Sequence, residues 1–87
     1  MKQLFLSDYE LKNDLKKFRL ANRLSQEQLA FKCGTTQNTI SAIECGTYKS
    51  TSLTLALKIS SVLGYHVEDI FYLQHDNQVR KKSLKQE

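Results

Sequence analysis

Residues 25–46 read SQEQLAFKCGTTQNTISAIECG and contain two short helical patterns separated by a tight turn. In the first pattern, Ser25 can cap a helix while Gln28 completes a capping box. This helix should end at Gly34, since glycine readily adopts the left-handed conformation that closes a helix. Thr36 is the expected cap of a second helix that runs to about Glu44. The stretch therefore predicts two capped helices joined by a turn of very few residues.

The two helical patterns bury one face each. Leu29, Ala30 and Cys33 form the apolar stripe of the first, and Ile40 and Ile43 form that of the second. The side chains that point away from the second stripe are uncharged, and they are Gln37, Asn38, Ser41 and Ala42. We therefore expect a buried apolar stripe beneath an uncharged, hydrogen-bonding outer face.

Two short helices at this spacing, with Ala30 near their crossing and Gly34 at the turn, predict a helix-turn-helix. In that motif the first helix crosses the DNA backbone and the second lies in the major groove. Gln and Asn amides offer a donor and an acceptor together, so they can bond an adenine bidentately. The outer face thus predicts base recognition, and the alternative that stays open is an ordinary solvated helix face.

Three further helical patterns surround this pair. They are a helix over about 11–22 with Leu11, Leu15 and Phe18 on one face, a helix from Ser52 to Leu63, and a short helix with Val67, Ile70 and Phe71. The second of these is apolar around most of its circumference and should lie at the centre of the fold. The chain has no Pro and only three Gly, which also favours helices. We therefore expect an all-α, compact five-helix domain over residues 11–73, with an N-terminal arm (1–10) and a polar, basic C-terminal tail (74–87).

The positive charge of the chain is concentrated near its C-terminal end. The net charge is +4, but the segment from Arg80 onward holds four of the basic residues, and residues 1–79 carry nine basic and eight acidic side chains. Patterning rather than basicity must therefore identify the partner. With two cysteines, no signal peptide and no apolar run of about 20 residues, the sequence predicts a cytoplasmic protein without a membrane span.

No metal, cofactor or catalytic site is indicated. The His and Cys residues are Cys33, Cys45, His66 and His75, and their spacings of 12, 21 and 9 contain no close ligand pair. The sequence also lacks a Gly-rich phosphate loop, and no motif places a Ser, a His and an acidic residue together. We therefore expect no metal, no cofactor and no enzymatic activity.

The chain also resembles the Cro and lambdoid phage repressor family, the XRE-type helix-turn-helix regulators. The resemblance covers roughly residues 11–73 and lies in LSQ (24–26), QLA (28–30), Gly34 and ISAIECG (40–46), which occur in family order. It implies a lambda-repressor-like fold in which Gln37, Asn38, Ser41 and Ala42 face the bases. Contacts to the DNA backbone are expected from Gln26, Thr36, Thr39, Thr47, Tyr48 and Lys49.

The resemblance also implies that Arg19 pairs with Glu44 in the interior, which accounts for an acidic residue on a DNA-reading helix. Two departures from the family pattern follow that helix. Cys45 stands where the family usually has Asn, and the loop TYKSTS lacks the common Pro.

These observations predict a sequence-specific, double-stranded DNA-binding regulator of transcription, a repressor that binds a palindromic operator as a homodimer. The dimer would use the fifth helix with the segment FYL (71–73), or the N-terminal arm, which could instead cover Leu20 and Phe31. One alternative is an antitoxin or protein-interaction module that binds a small protein partner and regulates its own promoter. Another is non-specific coating of nucleic acid by the basic tail.

Overall fold

A computed structural model describes residues 8–47 and 51–75 of the chain. Its elements, in chain order, are β1 (Tyr9–Asn13), α1 (Leu15–Ala21), α2 (Gln26–Cys33), α3 (Gln37–Glu44), α4 (Leu53–Leu63), α5 (Val67–Ile70) and β2 (Phe71–His75). The helices pack around one apolar core, and the two strands form a small antiparallel sheet. The predominantly helical character predicted from the sequence is confirmed.

The caps predicted for α2 and α3 are present. Ser25 Oγ accepts a hydrogen bond from Gln28 N (3.0 Å), and Gln28 Oε1 accepts one from Ser25 N (2.8 Å), so the capping box is complete. Thr36 Oγ1 accepts from Thr39 N at the start of α3 (3.2 Å). Gly34 closes α2 in the left-handed conformation, with φ +72°. Local sequence therefore fixes both ends of α2 and the start of α3.

The core is a single cluster of buried apolar side chains to which every helix contributes. Its members are Leu15, Leu29, Ala30, Cys33, Ile40, Ile43, Ala56, Ile59, Leu63, Ile70 and Phe71. The prediction that α4 lies at the centre of the fold is wrong, because only one face of this helix is buried. Leu53 and Leu57 are 71% and 50% exposed, so α4 covers the core with one face and presents leucines to solvent with another.

The all-α prediction is wrong at both ends of the described chain. β1 and β2 pair antiparallel, with Tyr9 opposite His75 and Leu11 opposite Leu73. Residues 11–13, expected in the first helix, belong to β1, and Phe71, expected in the fifth, begins β2. Half-buried and exposed residues alternate along β1, which is the period of a strand with one face on the core. The sheet thus takes residues from the predicted arm and tail as well as from the helical domain.

Asn13 explains why α1 begins only at Leu15. Its Oδ1 accepts a hydrogen bond from Leu15 N (2.9 Å), which satisfies a donor that the first turn of a helix leaves free. Its Nδ2 donates to the carbonyl of Ile43 in α3 (2.9 Å). Nearby, Asp14 N donates to the carbonyl of Ile70 in α5 (2.8 Å). The end of β1 is therefore tied to three helices.

Replacing Asn13 with Ala should lower the free energy of unfolding by about 2 kcal/mol, because two hydrogen bonds of about 1 kcal/mol each are lost. Urea denaturation followed by circular dichroism measures the loss. Lys12→Ala is the control, since Lys12 is exposed and its ammonium group forms a surface ion pair with Glu10. It should change stability by about 0.5 kcal/mol or less. Equal losses in the two variants would contradict the role given to Asn13.

Candidate nucleic-acid interface

The turn between α2 and α3 consists of Gly34, Thr35 and Thr36. The left-handed Gly34 redirects the chain so that Thr35 N donates to Ala30 O (2.9 Å). Ala30 is 2% exposed, and its small side chain lets the two helices approach closely. Two short helices joined in this way form a helix-turn-helix.

The outer face of α3 is uncharged, and the opposite face of the helix is buried. Ile40 and Ile43 are 0% and 4% exposed, and their burial fixes the rotation of α3 about its axis. The structure leaves Gln37 and Asn38 exposed and Ser41 and Ala42 half-buried. Such a face can donate and accept hydrogen bonds, but it adds no positive charge that would attract phosphate. It is therefore suited to discriminating between hydrogen-bonding partners.

The first turn of α3 lies at the edge of this face. Thr36 is exposed and Thr39 half-buried, and their hydroxyl oxygens are 3.0 Å apart. A helix N-terminus presents free backbone N–H groups and the positive end of the helix dipole. The predicted backbone contacts Thr36 and Thr39 thus lie where a phosphate oxygen would be favoured.

An interior ion pair joins α1 to the last residue of α3. Arg19 Nε lies 2.6 Å from Glu44 Oε2, and Arg19 Nη2 lies 3.2 Å from Glu44 Oε1. The side chains are only 7% and 4% exposed. Arg19 Nη1 also donates to Leu24 O in the turn between α1 and α2 (2.7 Å). The one acidic residue of α3 is therefore turned inward, away from the outer face.

Gln26, a predicted phosphate contact, bridges this interior pair and the outer face. It is half-buried at the first position of α2, and its Nε2 donates to Glu44 Oε1 (3.0 Å). Its Oε1 accepts from Gln37 Nε2 (3.4 Å). Sequence reasoning missed both bonds, because partners separated by 18 and 11 positions on different helices leave no local pattern. Gln26 was predicted to contact DNA only because it stands in the LSQ segment (24–26) of the family pattern.

The residues after α3 are described in part. Cys45 and Thr47 are exposed, and Thr47 N donates to Ala42 O (3.0 Å), which closes the end of α3. The predicted contacts Tyr48 and Lys49 lie outside the described residues.

Of the two free thiols, Cys33 is buried. Its burial raises its pKa, against a smaller lowering by the charge of Lys58, which suits a core residue rather than a reactive one.

Neither a metal cluster nor a membrane helix occurs in the part of the chain that the structure describes. Within residues 8–47 and 51–75, no three His, Cys, Asp or Glu side chains are grouped so that they could hold a metal ion. Among the same residues, no helix has the length and apolar character needed to cross a bilayer.

Glu44→Ala should lower the free energy of unfolding by about 3 to 5 kcal/mol, because it leaves the buried Arg19 guanidinium without its partner. Thermal and urea denaturation measure the change. Glu27→Ala, at an exposed acidic position in the first turn of α2, is the matched control and should cost at most about 1 kcal/mol. A Glu44→Ala protein as stable as wild type that had lost only DNA affinity would refute the interior role of this carboxylate.

Comparison with known proteins agrees with this geometry. The chain is 47% identical over 66 residues to an HTH-type transcriptional regulator of Methanocaldococcus jannaschii, a match that covers 76% of this chain and 98% of that protein. It is 42% identical over 67 residues to the HTH-type transcriptional regulator YgzD of Bacillus subtilis, covering 77% of this chain and all of YgzD.

Solved structures have the same fold. The transcriptional regulator VanUg superposes with a TM-score of 0.67 at 18% identity, covering 87% of this chain and all of that one. A hypothetical transcription factor, NHTF, from Neisseria superposes with a TM-score of 0.60 at 26% identity, covering 83% of this chain and 76% of that one. The family model described as Helix-turn-helix matches residues 15–70, which run from the start of α1 to the end of α5. The chain belongs to the XRE/Cro-type helix-turn-helix family of transcriptional regulators.

Proposed function

We propose that this protein is a repressor that recognises a specific sequence in double-stranded DNA by placing α3 in the major groove. The observation that carries the proposal is the uncharged outer face of α3 held on a buried apolar stripe. Gln37, Asn38, Ser41 and Ala42 would contact base edges there. Gln and Asn amides match the paired donor and acceptor of adenine, and an apolar group such as that of Ala42 suits the methyl of thymine.

Contacts to the DNA backbone would flank this face and set the position of the protein on the duplex. Gln26, Thr36 and Thr39 lie at the N-terminal ends of α2 and α3, where backbone N–H groups favour a phosphate. Thr47 follows α3, and we propose the same role for Tyr48 and Lys49 beyond it. These contacts would add affinity on any sequence, while the outer face of α3 would supply discrimination.

A homodimer on a palindromic operator follows from the short reach of one recognition helix. Two copies would bind half-sites one helical turn apart, about 34 Å. The edge of β2 supports an interface there, because FYLQH (71–75) contains no Asp, Glu, Lys or Arg, and Tyr72 and Leu73 are 40% and 56% exposed. β1 by contrast carries Glu10 and Lys12, and charged side chains on an edge strand discourage pairing.

Selection from random duplex DNA tests base recognition. The wild type should enrich one motif, and Gln37→Ala should relax the preference at a single position of it by about 1 to 3 kcal/mol, since one amide reads one base. The control is Lys16→Ala, an exposed residue of α1, which should leave every position unchanged. A wild-type selection without any enriched motif would refute a sequence-specific regulator.

A charge placed on the edge of β2 tests the dimer. Leu73→Lys should shift the protein to monomer in sedimentation velocity at concentrations where the wild type is dimeric, because it puts an ammonium group into an apolar contact. Binding to a duplex with two half-sites should weaken about tenfold or more, while binding to a single half-site stays unchanged. Leu20→Lys, on the exposed side of α1, is the control. A Leu73→Lys variant that stays dimeric would place the interface elsewhere.

A second candidate function is a protein-binding module such as an antitoxin, and the exposure of Phe31 favours it. Phe31 is 86% exposed on α2 and Leu20 is 54% exposed on α1. The predicted N-terminal arm that could cover them includes residues 1–7, which lie outside the described residues. Co-purification of a small protein with the wild type but not with Phe31→Ser would favour this function over simple repression.

A further inference from the structure

Asn13 lies where the sheet meets α3, and its side chain joins the two. In the sheet it stands opposite Phe71, and the N–H of the next residue donates to Ile70 O (2.8 Å). From this position Asn13 Nδ2 donates to the carbonyl oxygen of Ile43 (2.9 Å), one residue before the end of α3. Phe71 and Ile43 are 7% and 4% exposed. The hydrogen bond therefore connects two elements that are each anchored in the core.

The amide of Asn13 fits this site in one orientation. Its Oδ1 accepts from Leu15 N (2.9 Å), while its Nδ2 faces the Ile43 carbonyl. A reversed amide would set an oxygen against that carbonyl and an NH2 group against the N–H of Leu15. The Ile43 carbonyl also accepts from Gly46 N (3.1 Å), so both of its lone pairs are used. The end of α3 is thus held to the sheet by a bond of defined direction.

In the proposed dimer, the route from the interface to the outer face of α3 runs through this bond. The second copy would meet the edge of β2, and β2 is paired with β1 in one register, from Tyr9 opposite His75 to Asn13 opposite Phe71. A slip of that register by one residue would turn the side chains of β1 to the wrong face, so the sheet holds its shape. Asn13 then connects β1 to α3. The distance and angle between the two copies of α3 therefore depend on Asn13.

We propose that Asn13 is a positioning residue that fixes the angle of α3 to the sheet and thereby sets the spacing of half-sites that the dimer accepts. The inference rests on the proposed function, because it takes the dimer to form at the edge of β2 and α3 to lie in the major groove. Asn13 itself touches no base, since both ends of its amide are bonded within the protein.

The helical geometry of DNA makes spacing a sensitive measure of this angle. One base pair inserted between two half-sites moves one of them by about 3.4 Å and turns it by about 35°, since a turn of about 34–36 Å contains 10–10.5 base pairs. A dimer whose two copies of α3 are held in one arrangement cannot follow that change, and it binds with one copy. A dimer in which α3 can tilt against the sheet accepts both spacings. The bond would therefore act on selectivity for spacing rather than for base sequence.

Asn13→Ser tests the connection, because serine keeps an oxygen that can cap α1 but lacks the NH2 group that reaches Ile43. The probes are duplexes with two copies of the selected half-site, at the preferred spacing and with one base pair added or removed, and fluorescence anisotropy measures their Kd. The wild type should bind the altered duplexes about tenfold or more weakly, because only one copy of α3 engages. Asn13→Ser should reduce this ratio to about threefold or less, with the Kd for a single half-site within about twofold of wild type.

Asn22→Ser is the matched control. Asn22 Nδ2 also donates to two carbonyl oxygens, those of Phe18 (3.1 Å) and Leu63 (3.2 Å), but neither residue belongs to the sheet or to α3. This variant should keep the wild-type ratio between spacings at a temperature where circular dichroism shows both variants to be folded. An Asn13→Ser protein with the wild-type ratio would refute the inference. Equal relaxation in Asn22→Ser would refute it too, because a general loss of stability would then account for the effect.

A measurement without DNA separates this inference from the proposed function. A nitroxide label on Asn38→Cys, in a protein that also carries Cys45→Ser, reports the distance between the two copies of α3 by pulsed EPR, since the remaining thiol, Cys33, is buried. Adding Asn13→Ser should broaden or shift that distance distribution, and adding Asn22→Ser should leave it in place. An unchanged distribution with Asn13→Ser would refute the role of Asn13, even if the protein reads DNA. A changed distribution in a dimer that enriches no DNA motif would instead contradict the proposed function and leave the hold of the sheet on α3 established.

Discussion

The ion pair between Arg19 and Glu44 sets the relation of three helices to one another. The apolar core attracts α1, α2 and α3 together, but burial of apolar surface is not directional. A guanidinium is planar, and its donors form a fixed fork, so Arg19 must meet Glu44 on α3 and the carbonyl of Leu24 before α2 in one geometry. A buried charge without its partner would cost several kcal/mol. The direction in which α3 presents its outer face therefore depends on an interaction in the interior.

The sheet gives this arrangement a second fixed point. Pairing of β1 with β2 joins the start of the described chain to its end, and the five helices lie between the two strands in the sequence. Asn13 then connects the sheet to the carbonyl of Ile43, one residue before the carboxylate that Arg19 holds. The C-terminal end of α3 is thus held from two sides, by a neutral hydrogen bond and by a charge pair. Its N-terminal end rests on the short turn after Gly34.

Local features of this fold could be predicted from the sequence, whereas long-range ones could not. The caps Ser25 and Thr36 and the stop at Gly34 act within a few residues, so their residue types suffice to place α2 and α3. Pairing of Leu11 with Leu73 spans most of the chain, and each strand is short enough for its apolar residues to fit a helical period as well. The outer face of α3 could be predicted, because Ile40 and Ile43 recur at helical spacing and mark the opposite, buried face. The bonds of Gln26 depend on how α2, α3 and α1 meet, which no local pattern contains.

An acidic residue at the end of the helix that we propose reads DNA is unfavourable on two grounds. The C-terminal end of a helix dipole is negative, and the phosphates of DNA are negative too. In this structure the charge of Glu44 is matched by Arg19 and shielded from solvent, so Glu44 adds little net charge to the outer face. The Glu44 carboxylate remains a hydrogen-bond acceptor, and unlike an amide it cannot turn round to present a donor. An acceptor of that kind is well suited to fixing neighbouring amides, whose two ends differ little in size but have opposite hydrogen-bonding character.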